Sequence, residues 1–248
     1  MGMEGIDLMN RFKLTNNSKV RFRADHCNTF SLKQGSPAEG GTCPGMTEGP
    51  GGCGEKCYDK NLRRLYKAYA GVEDYNTQLV SARPVSEVYN IIKNSVVYWL
   101  LGEGRNAPYF RIHTGGDFYS EEYAMCWAVV MREHPEVQFW AYTRSMFAVS
   151  TLSKVKNLTL YLSCDPVNKH EVLEVYRQYE NYPNVAIAWM GNEIPENIFS
   201  DKAFLVCPEV TGKLKNTKTE GACSRCRACV DRKLKNGKIR HIQFPIHR

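Results

Sequence analysis

Residues 108–145, PYFRIHTGGDFYSEEYAMCWAVVMREHPEVQFWAYTRS, contain the pattern that decides the fold. The segment PYFRIHT predicts a buried strand. The segment SEEYAMCWAVVMREHP then predicts a helix that Ser120 caps and that has acidic residues in its first turn. The segment VQFWAYT predicts a second strand. Apolar strands separated by a helix-length segment indicate a βαβ unit with parallel strands.

The alternation of strands and helices continues on both sides of this unit. Downstream, NLTLYLS and NVAIAWMG predict strands, and FAVSTLSKV and NKHEVLEVYRQYENYP predict helices. Upstream, helices are predicted in KNLRRLYKAYA and in SEVYNIIKNSVVYWLLGEG, the latter with Ser86 as its N-cap. The predicted fold class is α/β with parallel strands. A full or partial (β/α) barrel is the leading architecture, and a flat doubly wound sheet is the alternative.

Composition and length narrow the class of protein. The chain has 248 residues, of which 43% are hydrophobic and 24% charged, which is typical of a globular protein and excludes general disorder. No stretch approaches the roughly 20 uninterrupted apolar residues of a membrane span. The N-terminus lacks the features of a secretory signal. We expect a cytoplasmic protein with a single domain over residues 1–248. It comprises a cysteine-rich loop (31–58), a barrel-like body (59–200) and a C-terminal segment (201–248).

The C-terminal segment contains a cysteine pattern typical of metal sites. The chain has ten cysteines, and in a reducing compartment clustered thiols more often hold metal than form disulfides. Bacterial ferredoxins use a C-x2-C-x2-C run with further cysteine ligands, one of them followed by proline. Zinc sites usually draw on separate C-x2-C pairs. The sequence therefore predicts a [4Fe–4S] cluster, with zinc as the alternative. The predicted ligands are Cys207, Cys223, Cys226 and Cys229.

A second set of cysteines lies in the loop KQGSPAEGGTCPGMTEGPGGCGEKCYDKN, where glycine and proline argue against regular structure. Cys43, Cys53 and Cys57 form a C-x9-C-x3-C pattern. A three-cysteine set leaves a fourth position open, as a catalytic metal needs. Alternatively, these thiols share one cluster with the C-terminal cysteines. Cys126, in a predicted helix, is interpreted as a core thiol.

Polar residues follow each predicted strand, and parallel α/β sheets place their chemistry at these carboxyl ends. A shared pocket at this edge is one interpretation, and ordinary turn and cap residues are the other. Asp117 and Arg144 are the candidate catalytic residues, because they could orient a small ligand there. The residues in question are His113, Asp117, Thr143, Arg144, Cys164, Asp165, Asn192 and Glu193.

Several motifs together resemble a family of phage-encoded proteins, the gene-product-eighty-eight-like family. The motifs are CPG…C…CY, FRIHTGGDFYS, FWAYTRS, the late CP before C-x2-C-x2-C, and the closing IQFPIH. The match runs from about Ser31 to His247. The resemblance implies phage origin, a cysteine-bound metal and, if phage-encoded, the host cytoplasm as the location. It implies no particular reaction.

A more distant resemblance is to the radical S-adenosylmethionine enzymes. They place a three-cysteine loop before the barrel body and a GGE-type motif after the second strand, where it binds the cofactor. By that resemblance, Gly115, Gly116 and Asp117 are candidate cofactor-binding residues. The chain departs from the pattern in two ways. Its loop has C-x9-C-x3-C spacing instead of C-x3-C-x2-C, and aspartate replaces glutamate. S-adenosylmethionine is therefore a less favoured ligand.

Three functions stay open at this point, and they leave undecided whether the protein is an enzyme. The first is an iron–sulfur protein with a redox or radical role, acting on a small-molecule ligand or a redox partner. The second is a zinc-stabilised nucleic-acid-binding or host-interaction protein, whose basic segment from Arg225 to Arg248 meets phosphates. The net charge of +7 is compatible with this second function but modest for the length. The third is an interaction module in which the metal only joins the chain ends.

Overall fold

The fold is an α/β arrangement around one open parallel sheet. The computed structural model describes residues 10–24 and 26–246. Predictions that fall on the first nine residues, on His247 or on Arg248 lie outside the described residues. In this part of the chain, seven strands pair in the order β1-β2-β3-β4-β5-β7-β6, and every neighbouring pair is parallel. The strands are β1 Thr29–Phe30, β2 Tyr109–Ile112, β3 Gln138–Thr143, β4 Leu158–Cys164, β5 Val185–Met190, β6 Phe204–Val206 and β7 His241–Phe244.

The helices of the described residues vary widely in length, and the longer ones precede or connect the central strands. They are α1 Cys53–Lys56, α2 Tyr58–Leu65, α3 Lys67–Ser81, α4 Val85–Leu101, α5 Glu121–Glu133, α6 Val149–Leu152, α7 Lys169–Tyr179, α8 Glu196–Phe199 and α9 Ala222–Cys226. Short 3-10 helices lie at Pro37–Glu39, Glu103–Asn106 and Met146–Ala148. None of the described helices is both long enough and apolar enough to cross a membrane.

The sheet is not closed, so the predicted full barrel is not formed by the described residues. β1 and β6 are the two edges of the sheet, and they contain only two and three residues. Such short strands offer few hydrogen bonds for closure. The sheet is not doubly wound either, because β1 to β5 follow one another in sequence order. Strands in sequential order with helices on one face are typical of a (β/α) barrel. The sheet therefore resembles such a barrel that has been left open.

The two faces of the sheet are covered by different parts of the chain. Phe110, Phe139 and Leu160 belong to the main hydrophobic core, together with residues of α4, α5 and α7 such as Trp127. The opposite face has Tyr161 and neighbouring side chains, which pack against Ala228 and other residues of the C-terminal segment. We call this second surface the helix-free face because the long helices α4, α5 and α7 pack on the other one, although the five-residue α9 lies on it. It is where the C-terminal cysteines lie.

Four of the seven strands, β2 to β5, were predicted from the sequence, and β1, β6 and β7 were not. β7 is the most consequential omission, because no strand was predicted in the basic C-terminal segment. Instead β7 lies between β5 and β6. Ile242 is buried, and the Gln243 side-chain amide donates hydrogen bonds to the carbonyls of Gly191 and Asn192. The C-terminal segment therefore completes the sheet.

The helix boundaries confirm one predicted cap and correct another. The Ser120 hydroxyl accepts a hydrogen bond from the Tyr123 N–H, 3.2 Å away, at the start of α5. Ser86 is not a cap, because α4 begins at Val85 after Pro84. The helix expected in KNLRRLYKAYA is interrupted at Tyr66, whose backbone is extended with φ −121° and ψ 91°. The second half continues to Ser81 as α3, which the sequence did not indicate.

Candidate functional site

The structure brings the four predicted C-terminal ligands to one pocket on the helix-free face. We call this set the quartet, defined as Cys207, Cys223, Cys226 and Cys229. All four line the same pocket, and all four thiols are free. Cys207 follows the edge strand β6, and its N–H donates to the Gln243 carbonyl at 2.8 Å. The Cys223 N–H donates to the Lys19 carbonyl at 2.9 Å, which fixes α9 against the N-terminal segment.

A left-handed residue between the cysteines directs the last thiol toward the sheet. Arg227 has φ 59° and ends α9, and its N–H donates to the Cys223 carbonyl at 2.7 Å. Its guanidinium bonds to Asp231 and to the Tyr109 hydroxyl, which holds the turn against β2. Non-glycine residues adopt this conformation only when the surroundings fix it. The turn reverses the chain so that Cys229 reaches the same pocket as Cys223.

Burial disfavours the thiolate form of three of the four quartet cysteines. Burial raises the pKa of Cys223 to about 12, and burial also raises the pKa of Cys207 and of Cys229 above the ordinary value. Nearby thiols add to this effect at Cys223 and Cys229. A hydrogen bond from the Tyr142 hydroxyl acts in the opposite direction at Cys229. Metal ligation would therefore displace protons from these thiols.

Aromatic side chains of the sheet form the floor of the quartet pocket. Trp140 and Tyr142 of β3 line it, and Tyr142 stacks on Tyr161 of β4 with ring centroids 5.1 Å apart. The Tyr161 hydroxyl donates to the carbonyls of Ala228 and Arg240, at 3.3 and 3.1 Å. These bonds attach the C-terminal segment to the middle of the sheet. The strands thus shape the floor of the pocket, and the C-terminal segment supplies its thiols.

The thiols share the pocket without converging on one point. Among residues 10–24 and 26–246, no group of three or more histidine, cysteine, aspartate or glutamate side chains is arranged to hold a single metal ion. In a tetrahedral zinc–thiolate site the sulfurs lie about 3.8 Å apart, as Zn–S bonds of about 2.3 Å require. A preformed site for one tetrahedral ion is therefore not observed among these residues.

The loop cysteines form a separate group at the carboxyl edge of the sheet. We call Cys43, Cys53 and Cys57 the triplet. Burial raises the pKa of Cys43 above its ordinary value, and the charges of Asp117, Cys57 and Cys53 contribute to the shift. Burial also raises the pKa of Cys57, with a smaller contribution from Cys53. The three thiols are therefore neighbours, and none of them lines the quartet pocket.

The buried carboxylate of Asp165 anchors the triplet loop to the sheet. Its Oδ2 accepts hydrogen bonds from the Thr47 hydroxyl at 2.6 Å and from the Cys53 N–H at 3.1 Å. The same oxygen pairs with the Arg144 guanidinium at 2.7 Å. Gly45 also passes directly against β3, since an added Cβ would lie 2.1 Å from the Arg144 carbonyl oxygen. The loop is therefore fastened to the ends of β3 and β4.

Asp117 and Arg144 come together at the edge, but their polar groups have partners within the protein. Asp117 accepts hydrogen bonds from the Thr143 hydroxyl, the Arg144 N–H and the Phe118 N–H, each at 2.7 Å. Burial raises the pKa of Asp117 to about 6, although these bonds lower it. Arg144 binds Asp165. This geometry ties β2 to β3 and β4, and the catalytic role of the two residues stays a prediction.

The two glycines of the GGD motif allow the backbone to approach the protein's own side chains. A Cβ on Gly115 would lie 2.3 Å from Glu73 Oε1 and 2.6 Å from Asp59 Oδ2. Gly116 has φ +76°, and a Cβ there would lie 2.5 Å from the Thr42 hydroxyl oxygen. Internal packing thus accounts for both glycines. These contacts do not test the predicted cofactor binding by Gly115, Gly116 and Asp117, which stays a prediction.

A buried carboxyl pair beneath Gly115 is a feature that sequence reasoning missed. Asp59 accepts from the Tyr69 hydroxyl at 2.8 Å, and Glu73 pairs with Arg63 at 2.8 Å. Burial and then the charge of Asp59 raise the pKa of Glu73 to about 8, and burial raises the pKa of Asp59. Asp59 Oδ2 and Glu73 Oε1 are buried without another partner. No local pattern signals such a pair, because it joins α2 and α3.

Three of the expected edge residues do not join this site. His113 faces the helix side of the sheet, where its Nε2 lies 3.0 Å from the Tyr123 hydroxyl and burial lowers its pKa to about 3. Its φ of 58° turns the side chain away from the edge. Asn192 and Glu193 line a different pocket with Trp189, after β5. The shared pocket expected from the sequence is therefore formed only in part.

Comparison with known sequences connects these features to one family. The family model described as Gene product 88 matches residues 8–232. The chain belongs to the Gene product 88 family. It is 32% identical to the Gene 88 protein of Mycobacterium phage L5 over 209 residues, which cover 82% of this chain and 83% of the relative. It is also 32% identical to the Gene 88 protein of Mycobacterium phage D29 over 211 residues, with 82% and 83% covered. No solved structure matches it significantly.

Membership of the Gene product 88 family confirms the resemblance inferred from the motifs. The matched residues include the triplet and the quartet and end before β7. The names of the two mycobacteriophage relatives state no activity. The chemistry of this Gene product 88 member must therefore be inferred from its own thiol groups.

Proposed function

We propose that the protein is an iron–sulfur protein in which the quartet binds a [4Fe–4S] cluster with a redox role. The observation that carries the proposal is the common pocket of the quartet. Cys207 and the C-x2-C-x2-C run are separated in sequence, and they meet because Cys207 follows the edge strand β6 while α9 covers the helix-free face of the sheet. Four free thiols in one pocket are a set of ligands for such a cluster.

The spacing of the cysteines favours an iron–sulfur cluster over a single zinc ion. Zinc sites usually draw on two separate C-x2-C pairs, whereas a cubic cluster takes a C-x2-C-x2-C run with a further cysteine that proline follows, as Pro208 follows Cys207. When bound, the cluster would supply one-electron chemistry. Trp140 and Tyr142 would exclude water from the cluster, and the Tyr142 hydroxyl would donate a hydrogen bond to Cys229.

We propose that the triplet forms a second thiolate site with an open ligand position. Its three thiols are neighbours on a loop that Asp165 fastens to the sheet edge. The loop follows β1 and the GGD motif follows β2, as in the radical S-adenosylmethionine pattern. However, Gly115, Gly116 and Asp117 are engaged by the protein itself. The geometry therefore favours a redox role over a radical role.

The experiment is anaerobic reconstitution of the full chain, followed by iron and sulfide analysis and electron paramagnetic resonance of the reduced protein. We expect brown protein with about four irons and four sulfides per occupied cluster. Changing Cys223 and Cys226 to serine should remove the iron and sulfide that the quartet binds. Changing Cys53 and Cys57 to serine should remove only the iron and sulfide that the triplet binds. Cys126→Ala is the matched control, because Cys126 is a buried thiol outside both groups.

Two outcomes would contradict this proposal in different ways. Colourless protein with stoichiometric zinc would rule out the iron–sulfur assignment. Loss of all iron from either double variant would show one shared centre instead of two. In both cases the Cys126→Ala protein should behave like the unchanged chain.

A nucleic-acid-binding protein is the second candidate function, and one observation favours it. Arg232, Lys233 and Lys235 are exposed in the turn before β7, where phosphates could reach them. Binding through these cations would weaken steeply with salt. Titration against DNA and RNA at two salt concentrations measures how steeply the binding affinity falls with salt. Changing Lys233 and Lys235 to glutamine should make this slope smaller. An unchanged slope would count against this candidate. For either function, we propose the host cytoplasm as the location.

A further inference from the structure

Arg111 is a cation without a carboxylate partner in the wall of the quartet pocket. It lies on β2, and its side chain is on the helix-free face, where it lines the pocket with Cys223 and Cys229. Within the described residues no acidic group forms an ion pair with it. Its Nε is buried and has no hydrogen-bond partner. Its guanidinium carbon lies 5.0 Å from the centroid of the Tyr142 ring.

Two other arginines with shielded side chains pair with carboxylates, unlike Arg111. Arg63 pairs with Glu73 and Arg144 with Asp165, and the two arginine side chains are 15% and 11% exposed. Glu209 also lines the quartet pocket, but its carboxylate is bonded to Lys19 at 2.9 Å. A partly buried charge that lacks a partner is unfavourable. An anionic group bound in the pocket would therefore supply the carboxylate-free Arg111 with a partner.

Metal ligation of the quartet would create the missing negative charge. Four thiolates carry more negative charge than either a [4Fe–4S] core or a zinc ion offsets, so the loaded centre is anionic. Before loading, Glu209 is the carboxylate that lines the pocket and it is bonded to Lys19, so Arg111 would face an anionic centre only after loading.

We propose that Arg111 is the internal counter-ion of the metal–thiolate centre in the quartet, an inference that rests on the proposed function. The guanidinium acts on the centre directly and through Tyr142, because Tyr142 lies between Arg111 and the Cys229 thiol. A positive charge beside a cluster favours its reduced form, since reduction adds negative charge. It also slows loss of the metal.

The test compares Arg111→Met and Arg111→Lys in the full chain, with Arg83→Met as the matched control. Arg83→Met removes the same charge, but Arg83 pairs with Glu87 and does not line the quartet pocket. The first measurement is a redox titration of the iron-loaded protein. Arg111→Met should make the reduction equilibrium at least tenfold less favourable, which is 59 mV for a one-electron couple. Arg111→Lys keeps the positive charge and Arg83→Met removes one away from the quartet, so each should change the equilibrium less than about threefold.

The second measurement separates a counter-ion from a structural residue. Release of metal to a chelator should be at least tenfold faster in Arg111→Met. The metal-free variant should unfold at the same or a higher denaturant concentration, because it loses an unpaired charge. A merely structural arginine would destabilise both forms when replaced.

Each outcome decides the inference. An iron-loaded quartet whose potential is unchanged in Arg111→Met would overturn the counter-ion assignment and leave the proposed function standing. A tenfold shift in Arg111→Lys, or a metal-free Arg111→Met that fails to fold, would also overturn it. A wild-type protein that binds no metal would overturn the proposed function and this inference together.

Discussion

The quartet and the triplet are built from the same side chain in opposite surroundings. The quartet lies on the helix-free face, over aromatic residues such as Tyr142 and Trp140, and is covered by the C-terminal segment. The triplet lies on a glycine-rich loop at the polar carboxyl edge, held by Asp165 and Arg144. The first group supplies four donors inside the fold, and the second supplies three donors at its edge.

This difference suggests a division of tasks between the two groups. A complete, enclosed donor set can join distant parts of the chain, so its loss should affect folding. An incomplete set at an edge leaves a position for another ligand, and its loss should affect binding more than folding. The predictions that follow test this contrast, in order of decreasing expected effect.

Cys229→Ala should destabilise the metal-loaded protein far more than Cys57→Ala does. We expect a loss of more than about 4 kcal/mol in the free energy of unfolding for Cys229→Ala, because metal binding to an enclosed site contributes folding free energy. For Cys57→Ala we expect about 1 kcal/mol. Denaturant unfolding of the loaded proteins measures both values. Equal losses in the two variants would remove the contrast between the groups.

Asp165→Asn should release the triplet loop without opening the quartet. The substitution leaves the Arg144 guanidinium without its anion and should cost about 3 kcal/mol of unfolding free energy, as breaking a buried pair does. In the metal-free protein, mass spectrometry should then show faster thiol labelling at Cys53 and unchanged labelling at Cys229. Asp201→Asn is the control, because Asp201 is 71% exposed in its pair with Lys202. Faster labelling of both groups would show that the edge and the face are coupled.

Gly116→Ala should test how closely the GGD motif packs on the triplet loop. The added methyl group would lie 2.5 Å from the Thr42 hydroxyl oxygen and 2.7 Å from Leu32 Cβ. We expect a loss of about 2 to 3 kcal/mol from backbone strain and overpacking. Gly212→Ala has a similar φ of +72° and no atom within 4 Å, so strain alone should cost about 1 kcal/mol. Equal costs would show that the loop does not contact Gly116 closely.

Among the described residues, buried histidines should destabilise the metal-free protein on acidification, whereas the raised pKa values of Glu73 and Asp117 act in the opposite direction over the same range. The pKa of His113 is about 3 in the folded state, below its ordinary value of 6.5. The unfolded chain therefore binds a proton first as the pH falls below about 6.5, and stability is lost down to about pH 3. At pH 5 this one residue should cost about 2 kcal/mol relative to pH 8.

His113→Gln should reduce that pH dependence, measured as the unfolding free energy between pH 8 and pH 5. His26 and His241, whose pKa values burial lowers to about 4, should account for a further part of the slope. An unchanged slope in His113→Gln would indicate that His113 is not buried against Tyr123.

Part of the candidate site could be predicted from local patterns. The C-x2-C-x2-C run and the Cys-Pro pair identified the quartet, and the polar strand ends identified Asp117, Arg144 and Asp165. His113 was misplaced because its positive φ turns the side chain to the helix side, which no residue pattern indicates. Arg111 was missed because alternation along a strand does not tell which face lacks helices. The Asp59 and Glu73 pair was missed because its partners lie on different helices.

The sequence by itself determined the α/β class, the strands β2 to β5, the cap at Ser120 and the family, because these depend on neighbouring residues or on short motifs. Only the tertiary structure decided that the sheet stays open, that β7 enters between β5 and β6, and that the thiols form separate groups. Those features depend on contacts between residues far apart in the chain. Their energies are set by packing and burial, which no local pattern encodes.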